Sequence, residues 1–168
     1  CGVLWFVHLS KTGGGTVQKK LHDMAGRCVV NGKLAEYPYR GSPWLFVDLY
    51  NWKDCDPVLG KQDIRQWDKS PTWSFAADEL KKATPHLIVH QHHCSPGAIL
   101  QLMPHLIDMK RLLEARGCRL AITTVVRDPV EIIVSGIFFR HRVPALESSS
   151  WTAYVDSRKS MQMRYLLE

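Results

Sequence analysis

Three short apolar runs, at residues 3–9, 86–91 and 119–126, constrain the fold most tightly. Each is rich in Val, Ile, Leu or aromatic residues, and each gives way to turn chemistry and then to a helical spacing of apolar residues. Short runs with apolar residues on both parities suit strands buried on both faces. A repeated order of strand then helix is the pattern of βα units stacked around a parallel sheet. The expected fold class is therefore α/β, a three-layer αβα arrangement with a central parallel sheet. The first helix is expected over residues 17–25, closing near Gly26. The second opens after Ser95-Pro96 and carries Ile99, Leu102, Met103, Leu106, Met109 and Leu113. Pro104 should kink or split it, since a mid-helix proline removes a backbone donor, and Gly117 is a natural stop. After the third run, Asp128 suits an N-cap, Pro129 the first helical position and Glu131 the reach-back of a capping box. A last amphipathic helix is expected from Trp151 to Tyr165, behind the serine run 148–150.

A chain of 168 residues is enough for one domain with a single core. It opens inside core-like sequence, with no Met and no signal peptide, and it ends in apolar-periodic sequence. The expectation is one domain over 1–168, cut at both ends from something longer. Within it, residues 27–74 read as an irregular insertion holding four of the six tryptophans and one strand-like run, 44–49. Packing over the sheet is the simplest role for those aromatics. No run reaches the length of a membrane-spanning helix, so membrane attachment would need an anchor outside this sequence. Five scattered cysteines form no CxxC pair, which excludes zinc-ribbon and thioredoxin-type motifs. Their odd number fits either reduced cytosolic thiols or a lumenal domain. The net charge of +6 calls for an anionic partner, but no RNP-like aromatic pattern, helix-turn-helix signal or basic run points to nucleic acid.

The first segment with chemistry is His8-Leu9-Ser10-Lys11-Thr12-Gly13-Gly14-Gly15-Thr16. Consecutive glycines after a strand let backbone N–H groups converge on an anion, and the helix that follows adds its dipole. Lys11 supplies a point charge, and Thr12 and Thr16 supply hydroxyls. A Walker A loop carries its lysine after the glycines, whereas Lys11 precedes them, so ATPase and kinase readings lose support. The plainer alternative is a flexible glycine turn.

The second segment is Val125-Val126-Arg127-Asp128-Pro129, with Ser135 eight residues past Arg127. Arg127 stands where a strand ends and a helix begins, at the edge where open α/β sheets bind ligands. Arg127 and Ser135 could share one phosphate, the arginine through its fork and the serine through its hydroxyl. Alternatively Arg127 pairs with Asp128 or Glu131, and Ser135 permits close helix packing.

Together these two segments resemble the cofactor motifs of sulfotransferases that use 3′-phosphoadenosine-5′-phosphosulfate (PAPS) and release PAP. The resemblance implies a P-loop-type sulfotransferase fold. It also implies that Lys11, Thr12, Gly13, Gly14, Gly15 and Thr16 hold the 5′-phosphosulfate, and that Arg127 and Ser135 hold the 3′-phosphate.

The third segment is His86-Leu87-Ile88-Val89-His90-Gln91-His92-His93-Cys94. On an extended strand His90 and His92 share a face, and histidine titrates near neutral pH. The His-x-His pair resembles that of the uronosyl 2-O-sulfotransferase branch. The match implies His92 as the base that deprotonates the acceptor hydroxyl, with His90 as its assistant or a substrate contact. His93 is the fallback base. His90, His92 and Cys94 could instead ligate zinc, but no fourth ligand is recognisable, and no metal is expected. The functional expectation is sulfuryl transfer from PAPS to a hydroxyl, with Lys11 neutralising charge on the bridging oxygen and the acceptor a carbohydrate or glycan, with a tyrosine or small-molecule hydroxyl as the alternative. The same resemblance implies a Golgi lumen location in a type II membrane protein, with the cytoplasm as the alternative. The rival functions are a non-catalytic module binding an anionic glycan or a nucleotide, and a kinase-like phosphotransferase.

Overall fold

The computed structural model describes residues 1–9, 12–30, 33–37, 40–49, 71–91, 98–128, 130–131 and 135. Among these, six strands form one sheet. They are β1 (Gly2–Val7), β2 (Arg27–Val30), β3 (Lys33–Glu36), β4 (Leu45–Asp48), β5 (His86–Gln91) and β6 (Arg119–Thr124). Three helices are described: α1 (Gly14–Met24), α2 (Pro71–Leu80) and α3 (Ala98–Glu114). The spatial order is β3-β2-β4-β5-β1-β6. Every pairing is parallel except that of β2 with β3, so the sheet is mixed and mostly parallel. The class is α/β, with the antiparallel strand β3 at one edge.

β1 is central and bonded on both sides. Each of its residues from Gly2 to Val7 has a partner on β5 and another on β6. Its side chains alternate between two cores, as a strand covered on both faces requires. Val3, Trp5 and Val7 join Trp73 and Ala76 of α2 and Leu102, Leu106, Met109 and Leu113 of α3. Phe6 points the other way, to Leu21 of α1, Cys28, Phe46 and Ile88. The sheet therefore lies between α1 and the pair α2, α3. Trp5 meets Trp73 at a ring separation of 6.0 Å, and its indole N–H donates to Gln91 Oε1 at 2.7 Å.

The structure departs from the sequence reading in three places. First, the segment read as irregular holds two further strands: β2 and β3 pair antiparallel and extend the sheet beyond β4. Their runs are four residues long and carry charged ends, Arg27 and Lys33 to Glu36, so they lack the apolar density that marks the inner strands. Of the four tryptophans in that segment, Trp73 lies in the core and Trp44 stands edge-on to His86. Trp52 and Trp67 lie outside the described residues, as do residues 50–70 and the expected helix from Trp151 to Tyr165. Second, of the two outcomes expected at Pro104, a kink or a split, the split does not occur, since α3 runs through it. Leu102 and Leu106 are buried on either side of the proline, and this packing outweighs the lost backbone bond. Third, α1 starts at Gly14, three residues earlier than expected.

Other local expectations match. Gly117 has φ +72°, and the end of α3 is closed by bonds from Gly117 N to Glu114 O and from Cys118 N to Leu113 O. These are the paired bonds of a Schellman cap, with Cys118 and Leu113 sharing the core behind it. Asp128 Oδ1 accepts the N–H groups of Val130 and Glu131, at 2.8 and 3.3 Å, so it caps the helical residues that follow. Cys1 and Cys118 form a disulfide across the amino ends of β1 and β6.

A buried carboxylate fastens α2 to the sheet. Glu79 is 3% exposed and takes Arg27 Nη2 at 3.0 Å, Lys82 Nζ at 2.7 Å and the His86 N–H at 3.2 Å. Burial pushes its carboxyl up, but the bonds from Lys82 and His86 and the charges of Arg27 and Lys82 outweigh that and hold it below the usual carboxylate value. A depressed pKa contributes stability that is present above the ordinary carboxylate range and is lost as pH falls through the folded-state value. Glu79→Gln should cost roughly 2 kcal/mol at neutral pH. Urea unfolding midpoints of wild type and variant should converge as the pH drops below about 4.5.

Candidate functional site

The chain crosses from β1 to β2 over one face of the sheet through α1, and from β5 to β6 over the other through α3. β1 and β5 are neighbours. The helices that follow β1 and β5, α1 and α3, therefore lie on opposite faces of the sheet, which makes the β1/β5 edge a switch point. Ligands of open α/β sheets bind at such a switch point. His8 and His90 both stand there.

The glycine loop closes over this point. Gly13 has φ +84°, a left-handed conformation that disfavours any side chain, and it turns the chain into α1. Gly14 is needed for a different reason: a Cβ there would fall inside the His8 ring. Gly15 has open space around it and is exposed. Thr16 N and Val17 N bond back to Gly13 O, at 3.0 and 3.3 Å. No side chain caps α1, and its first turn holds no acidic residue. This end of α1 has the polarity an anion needs. Thr12, expected as a phosphate contact, is buried, and its hydroxyl donates to Leu9 O at 2.8 Å. Its hydrogen braces the loop. Thr16 is exposed. Lys11 lies outside the described residues.

Beneath the loop, side chains from β4, β5, α1 and the residue just past β1 form a hydrogen-bonded chain. His8 Nδ1 lies 3.0 Å from His90 Nε2, and His90 Nδ1 lies 2.9 Å from Asp48 Oδ1. The other oxygen of Asp48 accepts Gln18 Nε2 at 2.6 Å. The strand register sets this up, because His90 pairs with Phe6 on one side and with Asp48 on the other. Phe6 stacks on both imidazoles and Phe46 on that of His90, walling the chain with apolar rings. His90 is wholly buried and His8 is 8% exposed. Among the described residues no buried side-chain N or O lacks a partner.

This geometry revises the roles expected of His90. A ring with no exposed surface does not touch substrate, so of the two expected roles only that of assistant is compatible with its burial. Both of its nitrogens face Asp48 and His8, which removes it from the zinc set with His92 and Cys94. His92, His93 and Cys94 lie outside the described residues. His8, Asp48 and Gln18 were not singled out from sequence. The available signal was parity, since His8 shares the face of Phe6, together with an acid closing the apolar run Leu45-Phe46-Val47.

Arg127 follows β6, the other neighbour of β1. Its Nε donates to Glu131 Oε2 at 2.7 Å, four residues on, and its side chain is partly exposed. The plainer of its two expected pairings is thus present. Ser135 is a half-buried helical residue. No family model, no curated protein and no solved structure matches the chain.

Gly14 and Gly15 should separate by their causes. Gly14→Ala forces the His8 ring to move and should cost about 1–3 kcal/mol. Gly15→Ala meets nothing and should leave stability unchanged or raise it by up to about 1 kcal/mol, through helix propensity. Chemical denaturation of the two variants checks this.

Proposed function

We propose that this chain is the cofactor-binding core of a PAPS-dependent sulfotransferase with a P-loop-type fold, acting on a hydroxyl of a carbohydrate or glycan. One observation carries the reading. The glycine loop, the Arg127 segment and the histidine strand leave the same carboxyl edge of three adjacent parallel strands, β5, β1 and β6, with the loop in the middle. They are far apart in sequence, and a shared edge is what a single ligand with two phosphate groups would require.

PAPS bound there would supply the sulfuryl group. The backbone N–H groups of Gly13, Gly14 and Gly15 and the hydroxyl of Thr16 would hold the 5′-phosphosulfate, with Lys11 countering charge that grows on the bridging oxygen. Thr12 would keep the loop in shape through Leu9. Arg127 would exchange Glu131 for the 3′-phosphate, joined by Ser135, and so fix the register of the nucleotide. His92 would accept the proton of the acceptor hydroxyl, supported from below by His90. A kinase-like alternative needs an acidic magnesium ligand. It draws less support, because Asp128 caps a helix and Asp48 is engaged by His90 and Gln18.

The Cys1–Cys118 disulfide favours an oxidising compartment, consistent with the Golgi lumen over the cytoplasm. No described helix is long and apolar enough to cross a membrane.

Titration with PAP and with ATP–magnesium, followed by transfer of radiolabelled sulfate from PAPS, tests the reading. PAP should bind without magnesium. Arg127→Ala should weaken PAP at least about tenfold, the worth of a charged phosphate contact. His92→Ala should bind PAP normally and lose transfer. Tight ATP–magnesium binding with indifference to PAP would favour the phosphotransferase instead. PAP binding with no transfer to any hydroxyl acceptor would favour the non-catalytic module.

A further inference from the structure

We propose that Asp48, His90 and His8 form a buried proton relay that sets one ionisable proton beneath the glycine loop and couples the loop's hold on an anion to proton uptake. The second half of this rests on the anion-binding reading above; the first half stands on geometry alone.

The direction of the hydrogen bonds follows from one end. As a carboxylate, Asp48 can only accept, and Gln18 Nε2 already donates to its second oxygen. His90 Nδ1, at 2.9 Å from Oδ1, must then carry a proton. In a neutral ring this leaves His90 Nε2 as an acceptor, so His8 Nδ1, 3.0 Å away, must donate to it. The neutral state of His8 therefore has its proton on Nδ1 and its basic nitrogen, Nε2, on the edge that faces Gly14. A carboxylate that orients one imidazole is a familiar arrangement. Here the orientation passes through two.

A proton added at His8 Nε2 makes an imidazolium that stacks on Phe6 and whose charge is stabilised through His90 by Asp48. With nothing bound, that charge would lie under the positive end of α1, which opposes it. An anion held by the loop reverses the local field and favours it. Binding should thus draw one proton from solvent onto His8, and the added positive charge should tighten the loop's grip. Other groups on this face are placed to modulate the effect without carrying it. His22 of α1 stands edge-on to Phe46 and pairs with Asp23 at 3.7 Å, while Lys19 and Lys20 are exposed. His8 is accordingly a positioning residue. It is covered by Gly14 and acts on the ligand through the loop.

Two measurements test this. In the unliganded wild type at neutral pH, imidazole 15N shifts should show His8 and His90 both protonated on Nδ1. A His8 ring protonated on Nε2 alone would overturn the relay, and this arm needs neither ligand nor variant. Calorimetric titration of PAP in buffers of differing ionisation enthalpy should then show uptake approaching one proton per site. Affinity should rise as pH falls, by up to about tenfold per unit. Asp48→Asn, nearly isosteric, frees His90 to take either tautomer and should abolish most of the uptake while PAP still binds. His8→Gln should do the same, whereas His22→Gln should keep the uptake. Equal proton uptake in wild type, Asp48→Asn and His8→Gln would overturn the coupling. Failure of PAP to bind the wild type at any pH would sink the functional reading and the coupling together, and the 15N tautomers would still decide the relay.

Discussion

The constraint on which the rest depends is the position of β1, hydrogen-bonded along its whole length to β5 on one side and β6 on the other. Because α2 and α3 also cover one of its faces and α1 the other, Val3, Trp5, Phe6 and Val7 are all buried. Parallel pairing on both sides also forces the carboxyl ends of three strands to one edge. Whatever follows those strands becomes neighbouring chemistry, however distant in sequence. The disulfide between Cys1 and Cys118 and the clamp at Glu79 act at the opposite, amino-end side of the same strands, so stability and candidate site are separated along the sheet.

Alternation along β1 then decides what lies beneath the glycine loop. Odd residues face α2 and α3, and even residues face α1. Phe6 and His8 therefore meet His90, which meets Asp48, and α1 can cover His8 closely only because residue 14 has no side chain. Three features that look independent, a histidine, an acid at the end of a strand and a run of glycines, form one packed unit. Beside this unit the first turn of α1 is free of acid, and Arg127, just past β6, is held by the Glu131 carboxylate.

Much of this was legible in the amino-acid order, and the reasons differ by element. β1 and β5 are dense in apolar residues because they are internal, whereas β6, last in the described order, is mostly exposed and lends only Leu120 to the core; Gly117 and Asp128 announce their caps by residue type. β2 and β3 were missed because an edge hairpin buries little and carries charge. α3 continues through Pro104 without splitting because packing on both sides overrides a local penalty. The loop glycines, Arg127 and His90 were visible as motifs, but the reasons differ for each glycine, and burial narrows the role of His90. His8, Asp48 and Gln18 could not be found from spacing, since their contact is created by strand register across separations of 30 to 82 residues.

The most direct test of the account is a crystal structure of this protein with PAP. The account predicts one phosphate seated on the backbone N–H groups of Gly14 and Gly15 above His8. It predicts the second on the Arg127 guanidinium, with the Arg127–Glu131 contact broken. PAP bound away from the loop, or Arg127 still held by Glu131 with no phosphate beside it, would contradict it.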